Sequence, residues 1–178
     1  PTWKLPLSLV ERVVDISNQL LQKDGFIVIK IFQGGMHGDL MNSMKEFVYT
    51  EIKSGLYLVS LPVGCLSDIS FRALHMLSNS DYVAGEDTRS VRSLFKLLKI
   101  SKSIKSIISY HDHSSAHTRG KIIELIKQGK SVALVSDAGT PLISDPGYKL
   151  VKTAIEEGFE VFSVPGPSSG IAALTVSG

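Results

Sequence analysis

A chain of 178 residues, 43% hydrophobic and 20% charged, suffices for one domain of ordinary size, or for one and a fragment of another. Nineteen basic against seventeen acidic residues leave a formal charge of +2, so any nucleic-acid site must be a local patch rather than a global field. A mean hydropathy of +0.16 with 15 Gly and 7 Pro excludes disorder and collagen-like repeats, and the single Cys65 excludes a disulfide framework and a cysteine-based metal cluster.

One cysteine fits a reducing, cytoplasmic compartment, and Pro1 is not followed by the basic and apolar leader of an exported protein. Opening on Pro1 and ending on Gly178 suggests a piece of something longer. The first element reads as a helix: Ser8 and Glu11 form a capping box, Leu9, Val13, Ile16 and Leu20 recur at helical spacing, and Asp24-Gly25 closes it. Phe26–Phe32 then reads as a buried strand with Lys30 near its end, and Asp39–Val48 as a short helix. This αβα stretch ends near Ser54-Gly55, which divides the chain into 1–54 and 55–178.

From Leu56 the pattern restarts and alternates. Strands are expected at Leu56–Val59, Tyr82–Ala84, Ile107–Tyr110, Val132–Ser136 and Glu160–Val164. Helices are expected near Ile69–Leu77, Arg89–Leu98, Ala116–Gln128 and Tyr148–Glu157. Residues 161–178 carry no charge, but Pro165, Gly166, Pro167 and Gly170 interrupt them, so they read as a loop entering a buried helix rather than a membrane span. The expected class is α/β, a mainly parallel sheet with helices on both faces, preceded by the αβα fragment. Ligands of such sheets bind at the carboxyl ends of the strands.

Those ends are rich in ligand-type residues. Pro62 and Gly64 shape the first loop and Asp68 is placed to cap the next helix, but no Gly-x-Gly-x-x-Gly occurs, so a dinucleotide fingerprint is not supported. Gly85-Glu86-Asp87-Thr88-Arg89 follows the second strand; capping by Asp87 or Thr88 leaves Glu86 and Arg89 unexplained. His111-Asp112-His113 follows the third, with His117 beyond; substrate contact, acid/base work and a solvated loop stay open, and metal binding lacks a second ligand cluster. After the fourth strand, residues 137–147 exceed what a plain connection needs: Gly139 permits close backbone approach, Pro141 and Pro146 stiffen the loop, and Asp137, Thr140 and Asp145 add polar groups. The last strand leads into Pro165-Gly-Pro-Ser-Ser-Gly170, where Ser168 or Ser169 would cap a helix.

A basic stripe runs through Arg89, Arg92, Lys96, Lys99, Lys102 and Lys105, with no acid between Thr88 and His111. At least the first four are expected on one helical face, where an unbroken positive row suits a phosphate backbone.

Residues 56–178 closely resemble the N-terminal part of the ribosomal RNA small-subunit methyltransferase I family, within the tetrapyrrole-methylase-like superfamily. The matching residues are Leu56-Tyr-Leu-Val59, Pro62-Val-Gly64, Asp68-Ile-Ser70, Arg72-Ala-Leu74, Glu86-Asp-Thr-Arg89, His111-Asp-His113, Ser136–Tyr148 and Val164-Pro-Gly-Pro167. The resemblance implies S-adenosylmethionine-dependent methylation of a cytidine ribose 2′-hydroxyl in small-subunit (16S) ribosomal RNA, in two-domain proteins with the cofactor between the domains. On this resemblance the second domain is expected to be absent from these 178 residues, and Leu61 and Cys65 replace polar residues of the family's Thr-Pro-Ile-Gly-Asn.

On this resemblance Pro62, Gly64, Asp137, Gly139, Thr140, Pro141, Pro165, Gly166 and Ser168 hold the donor. Glu86, Asp87, Arg89, His111 and His113 face ribose and phosphate; Glu86 or His113 is the base, Arg89 grips a phosphate, and no metal is required. Arg89, Arg92, Lys96 and Lys99 meet the RNA. The expected partners are ribosomal RNA, the small subunit and a second copy of the chain, with no membrane. Residues 9–53 resemble the late part of FtsJ-like large-subunit ribosomal RNA ribose methyltransferases, with Lys30 at their second catalytic lysine. The alternatives are that large-subunit uridine 2′-O activity, an enzyme of the same superfamily acting on a small tetrapyrrole, and a truncated, non-catalytic remnant that binds RNA or dimerises.

Overall fold

The computed structural model describes residues 51–103, 106–111, 116–143 and 147–178. The expected elements of residues 1–50, with Lys30, lie outside them, as do Lys105, Asp112, His113, Asp145 and Pro146. Five strands, β1 (Gly55–Val59), β2 (Tyr82–Gly85), β3 (Ile107–Ser109), β4 (Ser131–Val135) and β5 (Val161–Val164), form one parallel sheet in the order β3-β2-β4-β1-β5. Five helices accompany them: α1 (Phe71–Asn79), α2 (Thr88–Leu97), α3 (Ala116–Lys127), α4 (Tyr148–Glu156) and α5 (Ser169–Thr175). Observed strand and helix limits fall within a few residues of those expected from the alternation of apolar runs.

The sequence of β4, Ser-Val-Ala-Leu-Val, is buried at every position because helices cover both sides of the sheet. Side chains alternate across it. Ala133 and Val135 join Tyr57, Val59 and Val83 in a layer closed by Ala73, Met76 and Leu77 of α1 and Val91 and Phe95 of α2. Val132 and Leu134 join Leu56 and Ala84 in the opposite layer, closed by Ile122, Ile123 and Ile126 of α3 and Leu150 and Ala154 of α4. Each large aliphatic side chain withdrawn from water this way contributes on the order of 2 kcal/mol.

Three local expectations are corrected. Asp68 does not cap α1; it ends a short 3-10 turn, Leu66–Asp68, and the cap is Ser70, whose hydroxyl accepts from Ala73 N at 3.0 Å. Lys99 is not on the face of α2. The helix stops at Leu97, Lys99 takes φ +55°, Lys99 N donates to Lys96 O and Ile100 N to Phe95 O, and Ile100 packs into the core layer. That paired closure needs a left-handed residue, a position usually given to glycine. Lys102 leaves the stripe altogether, donating to Leu77 O (3.2 Å), Ser78 O (3.5 Å) and Ser80 O at the end of α1. A cation there complements the free carbonyls of a helix terminus. Burial lowers the pKa of this ammonium, and the charge of Asp81 opposes that shift.

The apolar helix expected to be buried is exposed. No residue of α5 is buried, and Ile171 and Leu174 are 63% and 70% exposed, because no described element packs over them. Among the described residues no helix is long and apolar enough to cross a membrane.

Candidate functional site

Adjacent strands β1 and β4 send their connections to opposite faces, β1 into α1 and β4 into α4. Such a reversal opens a crevice at the carboxyl edge of a parallel sheet. Three loops fill its floor. Leu61 and Gly139 exchange backbone hydrogen bonds, Leu61 N to Gly139 O at 2.8 Å and Gly139 N to Leu61 O at 3.1 Å. Ser60 N donates to Val164 O at 3.2 Å, extending the pairing with β5. The Ser60 and Thr140 hydroxyls lie 3.0 Å apart, and Thr140 Oγ1 donates to Pro167 O at 3.0 Å.

Glycines permit this contact. Gly139 has φ +74°, a backbone that side chains disfavour, and a Cβ on Gly166 would lie 2.9 Å from Ser60 Cβ. Buried Ser136 donates to Ala138 O at 3.0 Å and holds the turn after β4.

Beside this floor, between the loop after β1 and α2, lies a cavity of ≈ 230 Å³. Pro62, Gly64 and Asp137, expected at the donor, line it together with Leu94 and Leu97 of α2. Gly139 and Thr140 belong to the interlocked floor, and Pro141 is buried beneath it. Pro165 and Gly166 stand exposed over Ser60, while Ser168 occupies the start of α5 without a side-chain capping bond.

Glu86 and Asp87 follow β2, one strand from β4. Glu86 is exposed; Asp87 is the cap of α2, accepting from Arg89 N at 2.8 Å. Arg89 also folds its guanidinium onto that carboxylate, with Nη2 to Oδ2 at 2.9 Å and Nε to both oxygens at 3.1 Å. These hydrogen bonds hold Asp87 below the ordinary carboxylate range and raise the pKa of Arg89. The pair is solvent-exposed on the arginine side, so a phosphate could displace one fork of the contact at modest cost. His111, exposed, follows β3 at the sheet's edge, two strands from β4; His113 lies outside the described residues.

The faces of α2 are divided. Val91 and Phe95 point into the core, and Ser90, Leu94 and Leu97 toward the cavity. Helical spacing puts Arg89, Arg92 and Lys96 on the third side, all exposed and turned away from the cavity. Sequence reasoning missed Ser60, Ser136 and the leucine wall of the cavity. Among the described residues no group of three His, Cys, Asp or Glu could hold a metal.

The solved uroporphyrin-III-C-methyltransferase of Thermus thermophilus aligns with 68% of this chain and 50% of its own, at a TM-score of 0.51 and 21% identity, which establishes the shared fold. Curated relatives called ribosomal RNA small subunit methyltransferase I are more similar in sequence. The protein of Mesorhizobium japonicum is 48% identical over 138 residues, 78% of this chain and 46% of its own. That of Rickettsia prowazekii is 49% identical over 126 residues, 71% and 44% respectively. That of Halalkalibacterium halodurans is 40% identical over 138 residues, 78% and 47%. The chain thus spans about half the length of the curated relatives it matches. The family pattern of the tetrapyrrole (corrin/porphyrin) methylases matches residues 55–178, which leaves the FtsJ-like reading of residues 9–53 without support from it. Through those 124 residues the chain belongs to the tetrapyrrole methylase family.

Proposed function

We propose that this chain is the donor-binding portion of an S-adenosylmethionine-dependent methyltransferase that modifies small-subunit ribosomal RNA, at the ribose 2′-hydroxyl of a cytidine. The observation that carries the reading is the convergence of the loops after β1, β4 and β5 on one crevice, in a chain 48% identical to a small-subunit ribosomal RNA methyltransferase. The residues fit the donor. Gly166 leaves no room for a side chain against Ser60, which lets the loop after β5 close on the loop after β1, and apolar Pro62 and Leu94 share the neighbouring cavity with the Asp137 carboxylate. When bound, S-adenosylmethionine supplies an electrophilic methyl group.

The chain's own residues would then position the acceptor and take its proton. Methyl transfer requires in-line approach, so orientation is the largest contribution. Glu86, exposed and one strand from β4, is one of the two candidate bases, and His113, outside the described residues, is the other. Arg89 offers its guanidinium to a phosphate, and Arg92 and Lys96 extend the positive face along the RNA. Lys99, beyond the helix end, contributes charge but not to that face. The uncovered apolar side chains of α5 and the edge position of β5 support a homodimer, and the ribosomal substrate supports a cytoplasmic location.

The test is calorimetry with S-adenosylmethionine, followed by incubation with radiolabelled donor and small ribosomal subunits and mapping of the labelled nucleotide. Stoichiometric donor binding and label on a cytidine ribose are expected. No donor binding would overturn the reading, and binding without transfer would reduce it to a non-catalytic module.

A further inference from the structure

The floor of the crevice contains a directed chain of hydroxyls whose order can be worked out. A threonine hydroxyl carries one hydrogen, and that of Thr140 is given to Pro167 O at 3.0 Å. In its 3.0 Å contact with Ser60, Thr140 therefore accepts and Ser60 donates. The chain runs Ser60 to Thr140 to Pro167, from the end of β1 through the loop after β4 to the loop after β5. Ser60 is 1% exposed, and Gly166 lies over its Cβ, so neither water nor ligand competes for its hydroxyl.

These bonds join no core elements. They join the loops that carry Pro62 and Gly64, Asp137 and Gly139, and Pro165 and Gly166. Pro167 has no N–H, so its carbonyl is the only backbone group by which that residue can hydrogen-bond. We propose that Ser60 is a positioning residue: acting through Thr140, it sets the spacing of the three donor-binding loops. Thr140 accordingly serves as the link between loops, its one hydrogen committed to Pro167 and so not donated to the methyl donor. This rests on the proposed function, since it assigns a use to the spacing of those loops.

The experiment measures S-adenosylmethionine affinity by calorimetry on the whole chain, well below its melting temperature, for the unsubstituted protein, Ser60→Ala, Thr140→Val, the double substitution and Thr140→Ser. Circular dichroism checks that each is folded, and Thr140→Val stands in if Ser60→Ala is not. Expected is a loss of about tenfold for either single substitution, the scale of one hydrogen bond. The double should be no weaker than the singles, and Thr140→Ser, which keeps the hydroxyl, should bind as the unsubstituted chain does. A purely structural role would lower the melting temperature without moving affinity in the folded protein. Unchanged affinity in Ser60→Ala, or losses that add in the double, would overturn the inference while leaving the function standing. No binding by the unsubstituted chain would overturn both.

Discussion

The two ends of the sheet treat polar groups differently. At the amino edge, Asp81 precedes β2 and accepts from Ser131 N and Ser131 Oγ, both at 2.9 Å, and from Lys130 Nζ at 3.2 Å. Nearby, Lys102 closes the end of α1. Charges there are consumed in joining one element to the next. At the carboxyl edge the inward groups are neutral hydroxyls, Ser60, Thr140 and Ser136, while Glu86 and Asp137 face solvent. A charge that ties one element to another is costly to divert to a ligand. At the carboxyl edge the neutral floor leaves Glu86 and Asp137 open, and the Asp87–Arg89 pair, local to the start of α2 and 85% exposed on the arginine side, is screened and readily displaced.

The comparison can be broken most directly at the amino edge. Asp81→Ala leaves the backbone N–H and hydroxyl of Ser131 without their acceptor and should cost about 1–3 kcal/mol in urea unfolding. Most of this comes from the hydrogen bonds, since the half-open position of the carboxylate screens its ion pair with Lys130. Donor affinity should stay within about twofold, because β2 and β4 retain their pairing. A fall in affinity matching the fall in stability would erase the distinction between the edges.

Gly166→Ala is the converse, forcing a methyl group against Ser60. Donor affinity should fall about tenfold with a melting temperature lowered by only a few degrees, as an exposed loop yields more readily than a core. A smaller effect is expected from pH. Burial pushes the pKa of Asp81 up, but hydrogen bonds from Ser131 and Lys130 outweigh it and leave the pKa lowered. Its stabilisation is thus complete above the ordinary value of about 3.9 and is lost as pH falls through the lower folded value. Urea midpoints measured below about pH 5 should fall less steeply in Asp81→Asn. Smallest is the basic face. Reversing Arg92 and Lys96 to Glu should reduce the slope of log affinity for ribosomal RNA against log salt by about 0.7–0.9 per lost phosphate contact, whereas Lys102→Met should not change it.

The sheet was legible in the sequence because buried parallel strands announce themselves as short apolar runs between amphipathic helices. The loops of the site were legible through glycine, proline and charge at strand ends. What was not legible depends on neighbours distant in sequence. Lys102 reads as one more cation in a stripe until α1 ends beside it, 25 residues away in the chain from its acceptor Leu77. Ser60 reads as an ordinary residue after a strand until residue 140 meets it. The left-handed closure of α2 at Lys99 gave no glycine signal, and α5 has the composition of a buried helix with no described partner to bury it.

The strand order also bears on how the chain is synthesised. β1 bonds only to β4 and β5, and β4 also supplies one edge of β2, so among the described strands only β2 and β3 can pair before residues 131–135 emerge from the ribosome. Until then the apolar faces of β1, α1 and α2 have no central strand to settle on, which makes the time between synthesis of β1 and of β4 an interval of exposure to chaperones and to aggregation. A change that weakens β4 should therefore lower the yield of soluble protein more than it lowers the stability of the molecules that do fold.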